Sequence, residues 1–399
     1  MISTLQIVGN LDRGGGQEVV RTLARFLPEE GCAPVVVTLR DGPLRAELEA
    51  LGIPVEIVAG RTRPFLSTGS VAELRRIRSD LDHLVRRHRA EVVQTHLLRS
   101  LDFLVLSLRG HGTLRAVFWT VHNAMLDLRA DQLPGGRWLL WPKRAIHRLL
   151  YRVGGRQVDA FIAVSADVAE AVQRDYRPPR GKLAVIPNGV DVDRYGGSSK
   201  SGALRAELGI PASAPVAIVV AKLMEQKGHR ILLKALPAVR RRVPDLHCLF
   251  VGDGHLRDEI AARVRDLGLA DRVHLLGDRA DVPDLMAVGD VFILPSLWEG
   301  LPMALLEAMA SRLPVIATAV SGTREVLDDG RSGVLVPAGD AEALGGALTG
   351  LLEDPERAAR LGAAARDRVE ECYSARVQAR RHAELYRSRL SSRMLGETP

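Results

Sequence analysis

The sequence predicts an α/β protein made of two doubly wound, Rossmann-like parallel-sheet domains. Three observations carry this. Short Val/Ile/Leu runs such as APVVVTL (33–39) alternate with amphipathic stretches, the pattern of strands covered on both faces. The series pauses once, in the polar Gly/Ser-rich stretch DVDRYGGSSKSGALRAELG (191–209), and then resumes with the same grammar. A length of 399 residues also exceeds what one core usually encloses.

In order, LQIVGN reads as a strand, and GGGQEVVRTLARFLPEEG as a loop feeding a helix with Val19, Val20, Leu23 and Leu27 on one face. APVVVTL is a buried strand, RAELEALG a helix stopped by Gly, and PVEIV a strand. A helix near 71–89 follows, then the strands EVVQTH, AVFWTVHN, DAFIAVS and KLAVIPNGV. Beyond the pause come PVAIVVAKL, a helix around 229–241, LHCLFVGDG, a helix around 255–267, RVHLLG and DVFILPS. The helix holding Glu307, PVIATAV and GVLVP complete the second series. The expected domains are 1–188 and 189–375, and periodicity leaves open whether a final helix, 376–399, packs back on the first. Ligands of open parallel sheets bind beyond the carboxyl ends of the strands, so two facing domains would share one cleft.

Composition narrows the function. Hydrophobic content of 46% and charged content of 26% fit a globular protein with a full core. No apolar run reaches the roughly 18 residues of a membrane span, and MISTLQIVGN does not read as a secretory signal. Cys32, Cys248 and Cys372 are scattered and odd in number, which indicates neither a disulfide framework nor a zinc site and suits a reducing cytoplasm. A net charge of +7 and a pI near 9.6 favour anionic partners. With 4% aromatic residues and no zinc-finger, RNA-recognition or basic-zipper pattern, no nucleic-acid partner is expected.

Chemistry concentrates in a few stretches. In WEGLPMALLEAMA, Glu307 has apolar neighbours on both sides, and an ionised carboxylate there needs a partner. It could accept from the two hydroxyls of a ribose, as acidic residues do in dinucleotide folds, or pair with a buried arginine. Glu299 lies in what reads as an exposed Gly-Pro turn, and Pro302 suits the first turn of the next helix, whose free amides make an anion site. In VAKLMEQKGH, Lys222 and Lys227 follow a buried strand and could neutralise a diphosphate, or be two surface lysines. The glycine run in NLDRGGGQEVV lets backbone amides approach an anion, but it is neither a dinucleotide fingerprint nor an NTPase loop, and an ordinary turn explains it too. His122, after the strand AVFWTV, would face the cleft from the other side or serve packing alone. There is no H-E-x-x-H, no G-x-S-x-G, and no histidine cluster with metal spacing; DLD (80–82) and DVD (191–193) fit a helix face and a turn better than a metal site.

Together these stretches resemble the retaining nucleotide-sugar glycosyltransferases of family 4, which have the two-domain GT-B fold. The ordered set is GGQE (15–18), His122, VS (164–165), IPNGVD (186–191), KLMEQKGH (222–229), VGDG (251–254), FILPS (292–296) and E-G-L-P-x4-E (299–307), spanning nearly the whole chain. The resemblance implies an acceptor-binding first domain, a nucleotide-sugar-binding second domain, and metal-independent transfer with retention and no cofactor. Glu307 would hold the ribose hydroxyls, and Glu299 with Gly300, Leu301 and Pro302 would touch the donor sugar and phosphates. Lys222 and Lys227 would bind the diphosphate, Gly15 and Gly16 would approach it, and His122 would sit beside the donor sugar. Glu299, Lys227 and His122 would form the catalytic set. Arg279 lies where family members meet the base through backbone groups. Two positions depart from the pattern: Lys222 stands where arginine is common, and Ser321 of SGTREV replaces a frequent glycine, which leaves that loop outside the expected site.

The acceptor implied is a glycan or a lipid-linked hydroxyl in bacterial polysaccharide or glycoconjugate synthesis. RWLLWPKRAIHRLLYRVGGR (137–156) has six basic residues and no acidic one. Its pattern predicts a helix with Ile146, Leu149, Leu150 and Val153 inward and Arg144, Arg148 and Arg152 outward. With Trp138 and Trp141 ahead of it, that helix suits peripheral contact with an anionic membrane at the inner face of the cell. Alternatives are a nucleotide-sugar epimerase or hydrolase of the same fold and a non-catalytic nucleotide-sugar-binding protein.

Overall fold

In the computed structural model, residues 1–58, 71–96, 100–123, 140–196 and 201–394 are described. They form two compact units, one of residues 1–189 with the helix that begins at Ala375, the other of Val190–Ser374. The first unit holds strands β1 (Ile2–Val8), β2 (Cys32–Thr38), β3 (Val55–Ile57), β4 (Val92–Thr95), β5 (Ala116–Val121), β6 (Ala160–Ala163) and β7 (Leu183–Val185). They form one parallel sheet in the order β3-β2-β1-β4-β5-β6-β7. Its helices are α1 (Gly15–Phe26), α2 (Leu44–Ala50), α3 (Val71–Arg87), α4 (Ser100–Leu106), α5 (Leu140–Gly154) and α6 (Ala166–Asp175).

The second unit runs α7 (Ser201–Glu207), β8 (Val216–Val220), α8 (His229–Arg242), β9 (His247–Val251), α9 (Arg257–Asp266), β10 (Val273–Gly277) and α10 (Val282–Val288). It continues through β11 (Val291–Leu294), α11 (Met303–Ala310), β12 (Val315–Thr318), α12 (Ser321–Val326), β13 (Val334–Val336), α13 (Ala341–Glu353) and α14 (Pro355–Cys372). Its parallel sheet has the order β10-β9-β8-β11-β12-β13. In each sheet the winding reverses beside the unit's first strand, between β1 and β4 and between β8 and β11. Such reversals leave a crevice at the carboxyl ends where ligands bind.

The Val/Ile/Leu runs are strands because their side chains fill both layers: Val219, Phe250 and Ile293 of the second sheet are fully covered and pack with Leu232, Leu236 and Leu348 from α8 and α13. Each such side chain contributes roughly 1.5–3 kcal/mol. After α14 the chain enters the first unit as α15 (Ala375–Met394). Small residues at Ala375, Ala379 and Ala383 let this helix close on Phe26, Phe118 and Ile162, with Tyr386 and Leu390 completing the cluster.

The expected inward face of α5 is corrected. Ile146, Leu149 and Val153 are 46%, 58% and 51% exposed, whereas His147 and Tyr151 are buried. The aromatic face wins because it has somewhere polar to go: the Tyr151 hydroxyl donates to Asp102 Oδ2 at 2.6 Å and its ring stacks on Tyr176 at 4.6 Å. Arg148 and Arg152 turn toward Asp175. Trp138 lies outside the described residues, as does the side chain of Trp141.

Candidate active site

In the second unit Lys222, Lys227 and Glu299 sit on the loops that follow β8 and β11, the two strands beside the crevice. The loop after β8 runs through Lys222 to Gly228, and the loop after β11 from Pro295 to Pro302. Two backbone-directed bonds join them, Leu297 N–H to Gln226 O at 2.8 Å and Gln226 Nε2 to Trp298 O at 2.9 Å. Gly228 has φ +65°, and a Cβ there would fall 1.9 Å from Pro295 O, so only glycine permits this approach. The result is one ion pair: Lys227 Nζ donates to Glu299 Oε1 at 2.5 Å, while Ser296 Oγ donates to the same oxygen at 2.7 Å. Glu299 is only 5% exposed, so the expected solvated turn is corrected to a buried carboxylate held from two sides.

The loop after β12 supports this arrangement. Thr318 Oγ1 donates to Ser296 O at 2.5 Å, and a Cβ on Gly322 would lie 1.7 Å from Gly300 O. The SGTREV segment therefore packs directly against E-G-L-P, although the Ser321 departure had left it out. Pro302 is the residue preceding α11 rather than its first turn, with φ −75° and ψ 121°. Its carbonyl takes the amides of Leu305 and Leu306, leaving those of Met303 and Ala304 outside the helical ladder at the loop. Glu307, 8% exposed, follows one turn into α11.

Lys222 is exposed and has no acidic partner among the described residues. Arg279 lies on the loop after β10, where Nε and Nη2 donate to both oxygens of Asp281 at 2.7 and 2.6 Å. Its guanidinium is thus committed to that carboxylate. Among the described residues no group of three or more His, Cys, Asp or Glu could hold a metal ion.

Gly15, Gly16 and His122 belong to the first unit. Gly15 opens α1 just after β1, and a Cβ at Gly16 would meet nothing within 4 Å, so the backbone there is open. His122 follows β5. Its Nε2 shares a 3.0 Å hydrogen bond with His96 Nδ1, and the two rings stack with centroids 5.3 Å apart. Burial, with His382 nearby, pushes the His122 pKa down to about 4, and burial first, then His122 and His382, holds His96 well below the usual histidine range. Both rings are therefore neutral at neutral pH. The sequence reading overlooked His96, Ser296 and Gly322; the H ending EVVQTH and the S ending FILPS were the available signals, each at the carboxyl end of a strand.

Residues 13–194 match the family described as Glycosyltransferase Family 4, and residues 201–368 the family described as Glycosyl transferases group 1. A GDP-mannose-dependent alpha-(1-6)-phosphatidylinositol monomannoside mannosyltransferase of Mycolicibacterium smegmatis is 34% identical over 265 residues, 63% of this chain and 68% of that protein. A UDP-Gal:alpha-D-GlcNAc-diphosphoundecaprenol alpha-1,3-galactosyltransferase of Escherichia coli is 33% identical over 177 residues, 43% of this chain and 46% of that protein. The structure of Anabaena Alr3699/HepE in complex with UDP and glucose superimposes with a TM-score of 0.80 at 22% identity, over 97% of this chain and 100% of that one.

Proposed function

The chain belongs to family 4 of the glycosyltransferases, the glycosyl transferases group 1, with the GT-B fold, and from that premise we propose a retaining, metal-independent transfer of a sugar from a nucleoside diphosphate to a lipid-linked or glycan hydroxyl. The observation that carries the reading is the Lys227–Glu299 pair, which joins the loops after β8 and β11. Lys222 and Lys227 neutralise the diphosphate, and Glu299 with the Gly300–Pro302 backbone meets the sugar and phosphates. Glu307 accepts from the ribose hydroxyls. In the first unit Gly15 and Gly16 offer backbone to the diphosphate, and His122 meets the donor sugar. The base is met by backbone near Arg279.

In this mechanism the acceptor oxygen bonds to the anomeric carbon on the face the diphosphate leaves. The carbon–oxygen bond to the phosphate breaks with its electron pair going to the phosphate, and the acceptor's proton passes to that leaving oxygen. Lysine ammonium groups beside it stabilise the charge as it develops. No protein nucleophile takes part.

A lipid-linked acceptor at the inner face of the cell membrane fits two facts. Both relatives carry lipid acceptors in their names. The described α5 also leaves Ile146, Leu149 and Val153 exposed in one stripe at i, i+3 and i+7, on a helix without an acidic residue. We expect co-sedimentation with phosphatidylglycerol vesicles at low salt, lost when all three aliphatics become Gln; no sedimentation at low salt would remove the membrane from the reading.

The site itself is tested by thermal shift across UDP-, GDP- and ADP-sugars, since a ligand of the folded state raises its melting temperature by mass action. One class should stabilise the wild type, and Lys227→Ala and Glu299→Ala should abolish transfer. Near wild-type turnover in both variants would refute the assignment. Donor consumption without an acceptor, yielding a free sugar isomer, would turn the reading to an epimerase.

A further inference from the structure

A line of polar side chains, buried from His96 inward, runs through the first unit from His122 to the C-terminal helix and back to the strand that precedes His122. Tyr386 on α15, fully buried, donates its hydroxyl hydrogen to Gln94 Oε1. The other end of that amide, Gln94 Nε2, donates to Thr120 Oγ1 at 2.7 Å. With its hydrogen so committed, the Tyr386 oxygen accepts from Gln6 Nε2 at 3.3 Å, and Gln6 Nε2 also reaches Thr4 Oγ1 at 3.3 Å. Gln6 therefore turns its carbonyl oxygen to His96 Nε2, 3.3 Å away.

The protonation of both rings follows from this orientation. A carbonyl oxygen only accepts, so His96 Nε2 carries hydrogen. His96 is neutral, so its Nδ1 is bare and accepts from His122 Nε2. His122 is neutral as well, so its remaining nitrogen, Nδ1, has a lone pair and no hydrogen. Five hydrogen bonds then point one way, from His122 through His96, Gln6, Tyr386 and Gln94 to Thr120, and bonds aligned in this manner strengthen one another. Reversing any amide in the middle reverses the chain beyond it, and the tyrosine hydroxyl is the single rotor that joins the two glutamines.

We infer that Tyr386, with Gln6 and Gln94, is a positioning residue that holds His122 in the tautomer whose Nδ1 is a bare acceptor, so that the sugar group meeting it must donate a hydrogen, as a hydroxyl does. The inference rests on the proposed role of His122 at the donor sugar; the hydrogen-bond chain itself does not. A group that only accepts, such as a fluorine or an ether oxygen, would leave two acceptors facing each other at that point.

The test is the ring nitrogen NMR of the full chain labelled with 15N-histidine, read at pH 7. Wild type should show His96 and His122 each as the Nε2–H tautomer. Tyr386→Phe should give His122 a mixture of tautomers and, with donor and acceptor the wild type uses, a kcat lower by about tenfold at nearly unchanged donor KM. A wild-type His122 found as the Nδ1–H form or as the cation overturns the inference, and this readout needs no variant to fold. A pure Nε2–H signal that persists in a folded Tyr386→Phe also overturns it. Full turnover in His122→Ala would instead sink the role given to that histidine while leaving the tautomers as described.

Discussion

Removing one partner of the Lys227–Glu299 pair should destabilise the second unit unequally, depending on which partner goes. Breaking a buried ion pair by deleting one member costs about 3–5 kcal/mol, because the survivor is left without compensation. Glu299 is 5% exposed and Lys227 19%, and in Lys227→Met Ser296 Oγ is the side chain that still serves the carboxylate among the described residues. The low end, about 3 kcal/mol, is therefore expected. In Glu299→Gln the ammonium can turn to water through its exposed side, and the amide can still accept from Ser296, so about 1 kcal/mol is expected. For a unit of this size each kcal/mol lowers the melting temperature by about 2–4 °C, which puts Lys227→Met roughly 6–12 °C down. The double variant, with no charge left at the site, should regain most of that loss. Calorimetry of the four proteins without ligand measures the cycle independently of catalysis. A Lys227→Met melting within 2 °C of wild type, or a double variant whose loss is the sum of the singles, would refute the claim that these side chains form one buried unit.

Three further outcomes follow from the same geometry. Gly228→Ala combines a left-handed φ with a clash on Pro295 O, and should lower stability by about 2–5 kcal/mol while weakening nucleotide-sugar binding; a variant with wild-type melting and affinity would contradict the close approach of the two loops. Gly322→Ala, whose Cβ would strike the backbone oxygen of Gly300, should lower stability by about 1–3 kcal/mol and raise the donor Kd as well; an unchanged Kd in the folded variant would separate the SGTREV loop from the site. The first unit should also weaken in mild acid. His96, His122 and His382 are held neutral by burial, so the unfolded chain takes up protons first as pH falls below 6.5. Their contribution is complete above 6.5 and lost as pH drops toward about 4; urea unfolding that is as stable at pH 5 as at pH 7.5 would contradict this.

What could be read from the sequence was whatever depends on neighbours along the chain. Runs such as VAIVV and VFIL could only be buried strands, and E-G-L-P-x4-E marked a loop and helix start with two carboxylates. What each carboxylate touches was not legible, because Lys227 and Glu299 are 72 residues apart and meet only through the order of strands in the sheet. The burial of Glu299 follows from Gly228 admitting Pro295 O, a contact between glycine and a carbonyl that no side-chain pattern records. The facing of α5 failed for a different reason. Aliphatic and aromatic residues alternate on that helix, and hydrophobicity alone favours the aliphatic stripe. The choice was made by the hydroxyl of Tyr151, whose partner Asp102 comes from another helix.

One signal in the sequence points beyond the resemblance. Thr4 and Gln6 in ISTLQIV, Gln94 in VVQT and Thr120 in AVFWTV are polar residues inside largely apolar strands, and all four are 0–2% exposed. Buried amides without partners cost several kcal/mol each, so residues of this kind on three adjacent strands are expected to bond to one another. Packing gives no reason for them, since Val or Leu would fill the same layer at lower cost. The remaining reason is orientation: a chain of amides and hydroxyls can fix where a hydrogen sits, which no apolar core can do. That the chain ends at His96 and His122 puts its directional effect at the carboxyl edge of the sheet. Replacing both glutamines by Met should therefore cost the first unit about 1–3 kcal/mol for each buried group left unpaired, the Tyr386 hydroxyl and His96 Nε2 among them, and in the protein that still folds the single tautomer of His122 is lost. A Gln6→Met/Gln94→Met protein that kept that tautomer intact would mean the polar strands serve some other purpose.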